Sequence, residues 1–271
     1  TYSLWFLNLL ILASPEAICQ TSRDSEAPPL LVRFIAVAKP PRVAMSGSGD
    51  NKTGRLIDPE AIPPQDLNLV LGKSGSRPLS FMLNVPSRNY LLRTPEVRII
   101  RGGTSPDGET GNQKPYLAFT LPAEQGVFTV IFSRKPGQKS WDNPSVTILK
   151  DPVTKSTKGA TRLVNLCNHN VGITAGTGKK IIKPYSKLTF AHASKTSWRN
   201  AFLYAQYDKT WVKLRPANGN TRPGIQQTII CYHERPDNRN VAVLTCHQRS
   251  EDISTLKARA IEMDKEEKSP Q

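Results

Sequence analysis

The sequence predicts an all-β protein made of two tandem antiparallel β-sandwich units of the Ig-like, Greek-key type. Three features of the sequence support this prediction. First, two segments share the pattern of a basic β-hairpin: FTVIFSRKPGQKSWDNPSVTILKD at 128–151 and QTIICYHERPDNRNVAVLTCHQ at 227–248. Second, short runs rich in Val, Ile, Phe and Thr, expected to be strands at 31–38, 97–100, 127–132 and 241–246, are separated by Gly, Asn and Pro, a pattern typical of strands and turns. Third, no convincing 3.6-residue apolar period precedes residue 250, so helices are not expected there.

The repeat predicts the domain bounds. Each hairpin follows an aromatic strand that ends near Leu-Pro in the first copy and Leu-Arg-Pro in the second, and the offset between copies is about 95 to 100 residues, close to one sandwich module. We expect a first unit at 20–150 and a second at 161–249. The Lys-, Pro- and Gly-rich stretch KDPVTKSTKGATR at 150–162 is typical of a linker. Residues 39–65 and 101–113 are expected to form long loops, where function often resides.

The ends of the chain differ from the two units. The uncharged apolar run Leu4–Ala13 has the length of a signal-peptide core and is too short to span a bilayer. Small residues at Ala17 and Cys19 predict cleavage of a signal at 1–19, hence export to the periplasm, cell surface or medium. The charged tail at 250–271 is expected to be helical or disordered.

The same residues resemble a group of exported bacterial proteins of unknown function with two β-sandwich units. The resemblance runs over residues 30–249, from the opening LLVRFIAVAKPP to the closing basic hairpin. Its central features are the strand residues and turn residues that follow the linker: Leu163, Asn165, Leu166, Gly172, Gly176, Gly178 and Pro184. The resemblance implies a fold and a compartment, and it brings no catalytic residue with it.

Positive charge is concentrated in the predicted second unit. The chain has a formal net charge of +15, and residues 161–249 hold 14 Lys and Arg against 3 Asp and Glu. Such a field favours polyanions, and we expect anionic envelope polysaccharide rather than nucleic acid, since the chain carries export signals and no nucleic-acid-binding motif. Four of the candidate binding cations cluster on one predicted hairpin, namely Lys179, Lys180, Lys183 and Lys187, and the other two are Arg215 and Arg222.

Two interpretations of this charge remain open. Trp198, Tyr204, Tyr207 and Trp211 are interleaved with the cations, as expected of a binding surface. Alternatively, the aromatic rings lie in the core and the cations form a solvated face that keeps the protein soluble.

The cysteines after the signal each have a histidine nearby, which allows three interpretations. The pairs are Cys167 with His169, Cys231 with His233, and Cys246 with His247. Thiolate and imidazole ligands suit Zn²⁺ or Cu⁺, so a metal-handling protein is the alternative function. A disulfide between Cys231 and Cys246 would form if the hairpin turn were centred between Asn238 and Arg239. The third interpretation is that the thiols are free and buried.

The sequence does not predict an enzyme. It contains no nucleophile elbow, phosphate-binding loop, zinc-protease motif or dinucleotide fingerprint. Asp107 and Glu109 lie in a polar loop, but two carboxylates are too few for a calcium site. We therefore expect a non-catalytic structural or binding protein without a cofactor.

Overall fold

A computed structural model of the protein describes most of the chain after residue 29. The described residues are 30–46, 53–71, 75–80, 82–102, 114–124, 126–135, 137–151, 160–175, 178–191, 201–217, 225–233, 240–249 and 253–266. The predicted signal, Arg222, most of the 101–113 loop and the interior of the linker lie outside these residues. Strands account for most of the described elements, and the all-β prediction is confirmed.

The strands before the linker form two four-stranded sheets. In chain order they are β1 (Leu30–Val37), β2 (Val43–Ser46), β3 (Thr53–Leu56), β4 (Leu67–Val70), β5 (Ser76–Pro78), β6 (Tyr90–Leu92), β7 (Glu96–Arg101), β8 (Leu117–Thr120), β9 (Gly126–Ser133) and β10 (Ser145–Asp151). Sheet I has the order β10-β9-β1-β6, and sheet II has the order β5-β4-β7-β8. Within the part of the chain that the structure describes, β2 and β3 pair only with each other.

The strands after the linker repeat this arrangement. They are β11 (Ala160–Asn165), β12 (Val171–Ala175), β13 (Gly178–Ile182), β14 (Lys187–Ala191), β15 (Phe202–Tyr207), β16 (Thr210–Pro216), β17 (Ile225–His233) and β18 (Val241–Arg249). Sheet III has the order β18-β17-β11-β14, and sheet IV has the order β13-β12-β15-β16. Strand for strand, sheet III matches sheet I and sheet IV matches sheet II. The two similar hairpins are β9–β10 and β17–β18.

The prediction of antiparallel sheets is wrong in one respect, because each half also contains one parallel pair of strands at the same place. β1 runs parallel to β9, with Leu30 opposite Gly126, and β11 runs parallel to β17, with Ala160 opposite Gln226. Strands of parallel pairs are often buried on both faces and read as continuous apolar runs. LLVRFIAV and GVFTVIFS have this character, and nearly all of their residues are buried.

Three apolar clusters join the four sheets. The first lies between sheets I and II and includes Phe34, Phe128 and Phe132. A second, between sheets III and IV, contains Leu163, Val171, Leu203 and Ile229. The third joins the two halves, because Ile35 and Ile131 of sheet I pack with Val164 and Ile230 of sheet III.

The expected 39–65 loop and the charged tail both contain regular structure. The expected 39–65 loop contains β2, β3 and a 3-10 turn at Pro59–Ala61, so an uninterrupted loop is the wrong description. The tail contains helix α1 (Ile253–Glu266), in agreement with the helical interpretation. Leu256 packs against Leu31 and Val127, which places the helix on the first half of the chain. Both ends of the expected linker are strand residues, since β10 ends at Asp151 and β11 begins at Ala160.

Candidate functional site

The four lysines expected on one hairpin do not share a hairpin. β13, which carries Lys179 and Lys180, pairs with β12 in sheet IV. Lys187 begins β14, which pairs with β11 in sheet III. The chain crosses from one sheet to another at this point, and Lys183 lies exposed in the crossing.

The predicted cations also point in different directions. Lys179 and Lys180 are adjacent on one strand, so their side chains leave opposite faces. The Lys179 Nζ lies 4.6 Å from the centre of the Trp211 ring, whereas the Lys180 Nζ lies 5.5 Å from that of Phe190. Lys187 Nζ donates a hydrogen bond to the Ile148 carbonyl of β10, 3.3 Å away.

Arg215 is turned away from Lys179. Its guanidinium donates a hydrogen bond to the Val243 carbonyl of β18, at 3.3 Å, and so reaches toward sheet III. Of the predicted cations that the structure describes, Lys179 is the one placed against Trp211.

Sheet IV has one face in the core and one face directed outward. Val171 and Ile173 of β12, with Leu203 and Ala205 of β15, are buried in the cluster shared with sheet III. Their neighbours on each strand point the other way. We define the outer aromatic face by six side chains that the strand register places on this second side: Lys179, Ile181, Phe202, Tyr204, Trp211 and Lys213.

Glycine at position 172 lets Trp211 lie against the sheet. A Cβ built on Gly172 would come within 3.0 Å of the Trp211 ring carbon Cζ3, closer than an ordinary contact. Gly172 pairs with Tyr204 on one side and Ile181 on the other, so the indole covers the centre of the outer aromatic face. The glycine therefore determines how closely this ring packs.

Lysines flank the rings of this face. Besides Lys179 over Trp211, the Lys213 Nζ lies 3.4 Å from the centre of the Phe202 ring. Both lysines are exposed, and the rings of Phe202, Tyr204 and Trp211 are half-buried. Cation–π contact holds each ammonium near a ring while its N–H donors stay available to solvent or ligand. The arrangement can stack a flat, partly apolar ligand and donate charge-assisted hydrogen bonds to its anionic groups.

Sequence reasoning identified part of this face. Lys179, Tyr204 and Trp211 were among the candidates, but Phe202, Lys213 and the role of Gly172 were missed. The pattern that could have identified the face is the alternation of side chains in FLYAQY and TWVKLRP, because residues two apart on a strand share a face. Without the pairing of β15 with β16, that alternation does not reveal which face is outward.

Of the three interpretations of the cysteines, the Cys231–Cys246 disulfide is wrong. In the β17–β18 hairpin Cys231 lies opposite Val243, and Cys246 lies opposite Thr228. The cysteines are three positions out of register and therefore lie on opposite faces of sheet III. Cys231 is buried in the cluster shared with sheet IV, whereas Cys246 packs against the cluster shared with sheet I. Cys167, Cys231 and Cys246 are all free thiols.

The cysteine–histidine pairs do not converge on a metal site. His169 and His233 approach each other, with ring centres 5.5 Å apart, and the His233 Nε2 accepts a hydrogen bond from the Asn168 amide at 3.2 Å. His247 lies on an exposed part of β18. Among the described residues, which include all six candidates, no group of three or more possible ligands is close enough to hold a metal ion.

Burial suppresses the ionisation of the thiols. It raises the pKa of Cys231 to about 12 and also raises the pKa of Cys167, where the nearby Cys231 adds to the shift. Burial raises the pKa of Cys246 as well, although Arg33 and Arg162 oppose that shift. Because the thiolate is the nucleophile, these groups are poor nucleophiles at neutral pH.

We expect the least buried cysteine to be alkylated first. In native protein at pH 8, iodoacetamide should modify the partly buried Cys246 before Cys167 and Cys231. After unfolding in urea without reductant, peptide mass mapping should find all three cysteines alkylated. A peptide cross-linked through Cys231 and Cys246 would contradict the register.

No protein-family model and no curated protein sequence matches this chain. Among the described residues, no helix has the length and apolar character needed to cross a membrane.

Proposed function

We propose that the protein is an exported, non-catalytic component of the bacterial envelope that binds anionic polysaccharide through its outer aromatic face. The observation that supports this most strongly is the placement of Trp211 over Gly172, with Lys179 against the indole and Lys213 against Phe202. Aromatic rings in a soluble domain usually lie in the core. Here three rings are half-buried on the side of sheet IV opposite its core.

The chemistry of the face favours a charged glycan. A pyranose ring offers an apolar C–H face for stacking on an indole, and its carboxylate or sulfate groups accept hydrogen bonds from lysine ammonium groups. The excess of positive charge in residues 161–249 attracts a polyanion before contact is made.

The fold supports the same proposal. In our proposal the two halves are tandem β-sandwich units, since each has two sheets of matching strand order around its own apolar cluster. Export rests on the apolar run Leu4–Ala13 and on the resemblance to exported proteins, both of which are sequence arguments.

The test is binding of oligogalacturonate, a chain of carboxylated sugars, measured by calorimetry at low salt. We expect the Lys179→Gln/Lys213→Gln variant to bind about 10-fold more weakly, since each exposed charge contact that is lost contributes up to about 1 kcal/mol and about 1.4 kcal/mol corresponds to a factor of ten. Trp211→Ala should weaken binding by a similar factor through loss of stacking. Affinity should fall as salt is added, because exposed charges are screened.

A matched control separates this face from net charge. Lys135 and Lys139 are exposed near the β9–β10 turn of the first half. The Lys135→Gln/Lys139→Gln variant loses the same charge and should bind almost as wild type. If the two double variants lose affinity equally, the basic charge serves solubility and the outer aromatic face has no special role.

The glycine beneath the indole provides a second test. Replacing Gly172 with Val places a branched side chain where the Trp211 ring now lies, so the ring must move outward. We expect weaker oligogalacturonate binding, with little change in the free energy of unfolding, because the outward side of the sheet can accommodate the displaced ring. Unchanged affinity in Gly172→Val would show that the position of the indole is immaterial to binding.

A further inference from the structure

A small cavity lies where the two halves meet, away from the outer aromatic face. Arg33, Thr129 and Ile131 line it from sheet I, and Arg162, Thr228 and Cys246 line it from sheet III. Its volume is about 30 Å³, enough for one or two water-sized occupants. The cavity therefore has both polar and apolar walls.

Two guanidinium groups share one carboxylate beside this cavity. Arg33 and Arg162 each donate to a different oxygen of Asp151, both at 2.8 Å. The Thr129 hydroxyl also donates to Asp151, at 2.6 Å, and the Asp151 side chain is fully buried. Two cations and one anion leave an excess of one positive charge among these three side chains.

The excess charge lies in a poorly solvated place. The side chain of Arg162 is 5% exposed and that of Arg33 is 16% exposed. Burial lowers the pKa of Arg33, Asp151 opposes that shift, and the neighbouring Arg162 adds to it. An unbalanced buried charge is costly, and a counter-ion relieves that cost.

One donor of this cluster is unused. Arg162 donates through Nη1 to the Lys150 carbonyl at 3.0 Å and through Nη2 to Asp151 and Thr228. Its buried Nε has no hydrogen-bond partner among the described residues. A buried donor without a partner indicates an absent acceptor.

We propose that this cavity is a site for a small monovalent inorganic anion of the size of chloride. Such an ion is little larger than a water molecule, supplies the missing negative charge and accepts hydrogen bonds from arginine. Because the walls come from sheets I and III, the bound anion stabilises the contact between the two halves. The site is independent of the proposed glycan binding.

The test compares thermal unfolding in sodium chloride and in sodium gluconate at equal concentration and pH. Gluconate is too bulky for the cavity, so ionic strength is matched while occupancy differs. We expect the midpoint temperature of unfolding to be higher in chloride by roughly 2–4 °C. This is the shift expected in a chain of this size when anion binding stabilises the folded state by about 1 kcal/mol. Equal midpoints in the two salts would overturn the proposal.

Two variants test whether the difference in unfolding midpoint between chloride and gluconate arises at the cavity. Arg33→Gln removes the excess cation, and the difference between chloride and gluconate should disappear. Arg101→Gln removes an exposed arginine that pairs with Asp66, and the difference should remain. A chloride effect that persists in Arg33→Gln, or vanishes in Arg101→Gln, would contradict the site.

A direct measurement decides the matter if Arg33→Gln does not fold. Crystals of the wild-type protein grown or soaked in sodium bromide should show an anomalous scattering peak in the cavity, within contact distance of Arg162. Absence of that peak at high bromide concentration would overturn the proposal.

Discussion

Replacing Asp151 with Asn is expected to destabilise the protein by about 3–5 kcal/mol, the usual cost of removing one partner from a buried ion pair. Asp151 receives hydrogen bonds from Arg33, Arg162 and Thr129, and its side chain is fully buried. The neutral amide of Asn cannot balance the positive charge of Arg33 or Arg162, and its NH₂ group would face the hydrogen-bond donors that now bind Asp151. The measurement is urea unfolding at neutral pH, followed by circular dichroism.

The matched control for this variant is an exposed ion pair in the same region. Glu124 pairs with Lys150, and both side chains are about half exposed. Glu124→Gln should cost about 1 kcal/mol or less, as surface pairs do. Equal losses in Asp151→Asn and Glu124→Gln would mean that the Asp151 cluster is open to solvent.

The second large effect is expected from Ile131→Ala. Ile131 lies on β9, is fully buried, and packs in the cluster that joins sheet I to sheet III. Deleting a buried aliphatic side chain of this size leaves a cavity and costs about 2–5 kcal/mol. The free energy of unfolding from urea titration should fall by that amount.

This variant tests the packing of the two halves. If sheet I were covered only by sheet II, Ile131 would face solvent and its truncation would change stability little. Ile181→Ala provides the reference, since Ile181 is 53% exposed and its loss should cost no more than about 0.5 kcal/mol. A loss in Ile131→Ala as small as that of Ile181→Ala would contradict the contact.

The sequence predicted the strands that carry strong local signals. The apolar runs of β1, β9 and β18 lie where they were expected, because β-branched and aromatic residues bounded by turns are a local property. The two similar hairpins, β9–β10 and β17–β18, occupy matching places in sheets I and III.

The pairing of strands was less predictable from the sequence. The lysine hairpin and the Cys231–Cys246 disulfide were both predicted wrongly because the strand partners and their register were not known. The turn between β13 and β14 resembles a hairpin turn, yet the two strands pair with β12 and β11 in different sheets. The register of the β17–β18 hairpin likewise depends on packing over both faces of sheet III, and a small shift moves Cys246 to the face opposite Cys231.

The candidate site was only partly visible in the sequence for the same reason. Charge density and interleaved aromatic residues pointed to the second half, but Trp211 joins the outer aromatic face only because β16 pairs with β15 and Gly172 leaves room for the ring. The Asp151 cluster was missed because its members are distant in sequence: Arg33, Thr129 and Arg162 meet Asp151 through sheet packing.

The most direct test of the proposed function is to locate a bound glycan by NMR. Backbone amide shifts of deuterated protein should be followed during titration with hexagalacturonate at low salt. We expect the largest changes in β12, β13, β15 and β16, together with the indole N–H of Trp211. Shifts confined to the first half of the chain, or no shifts at saturating glycan, would contradict binding at the outer aromatic face.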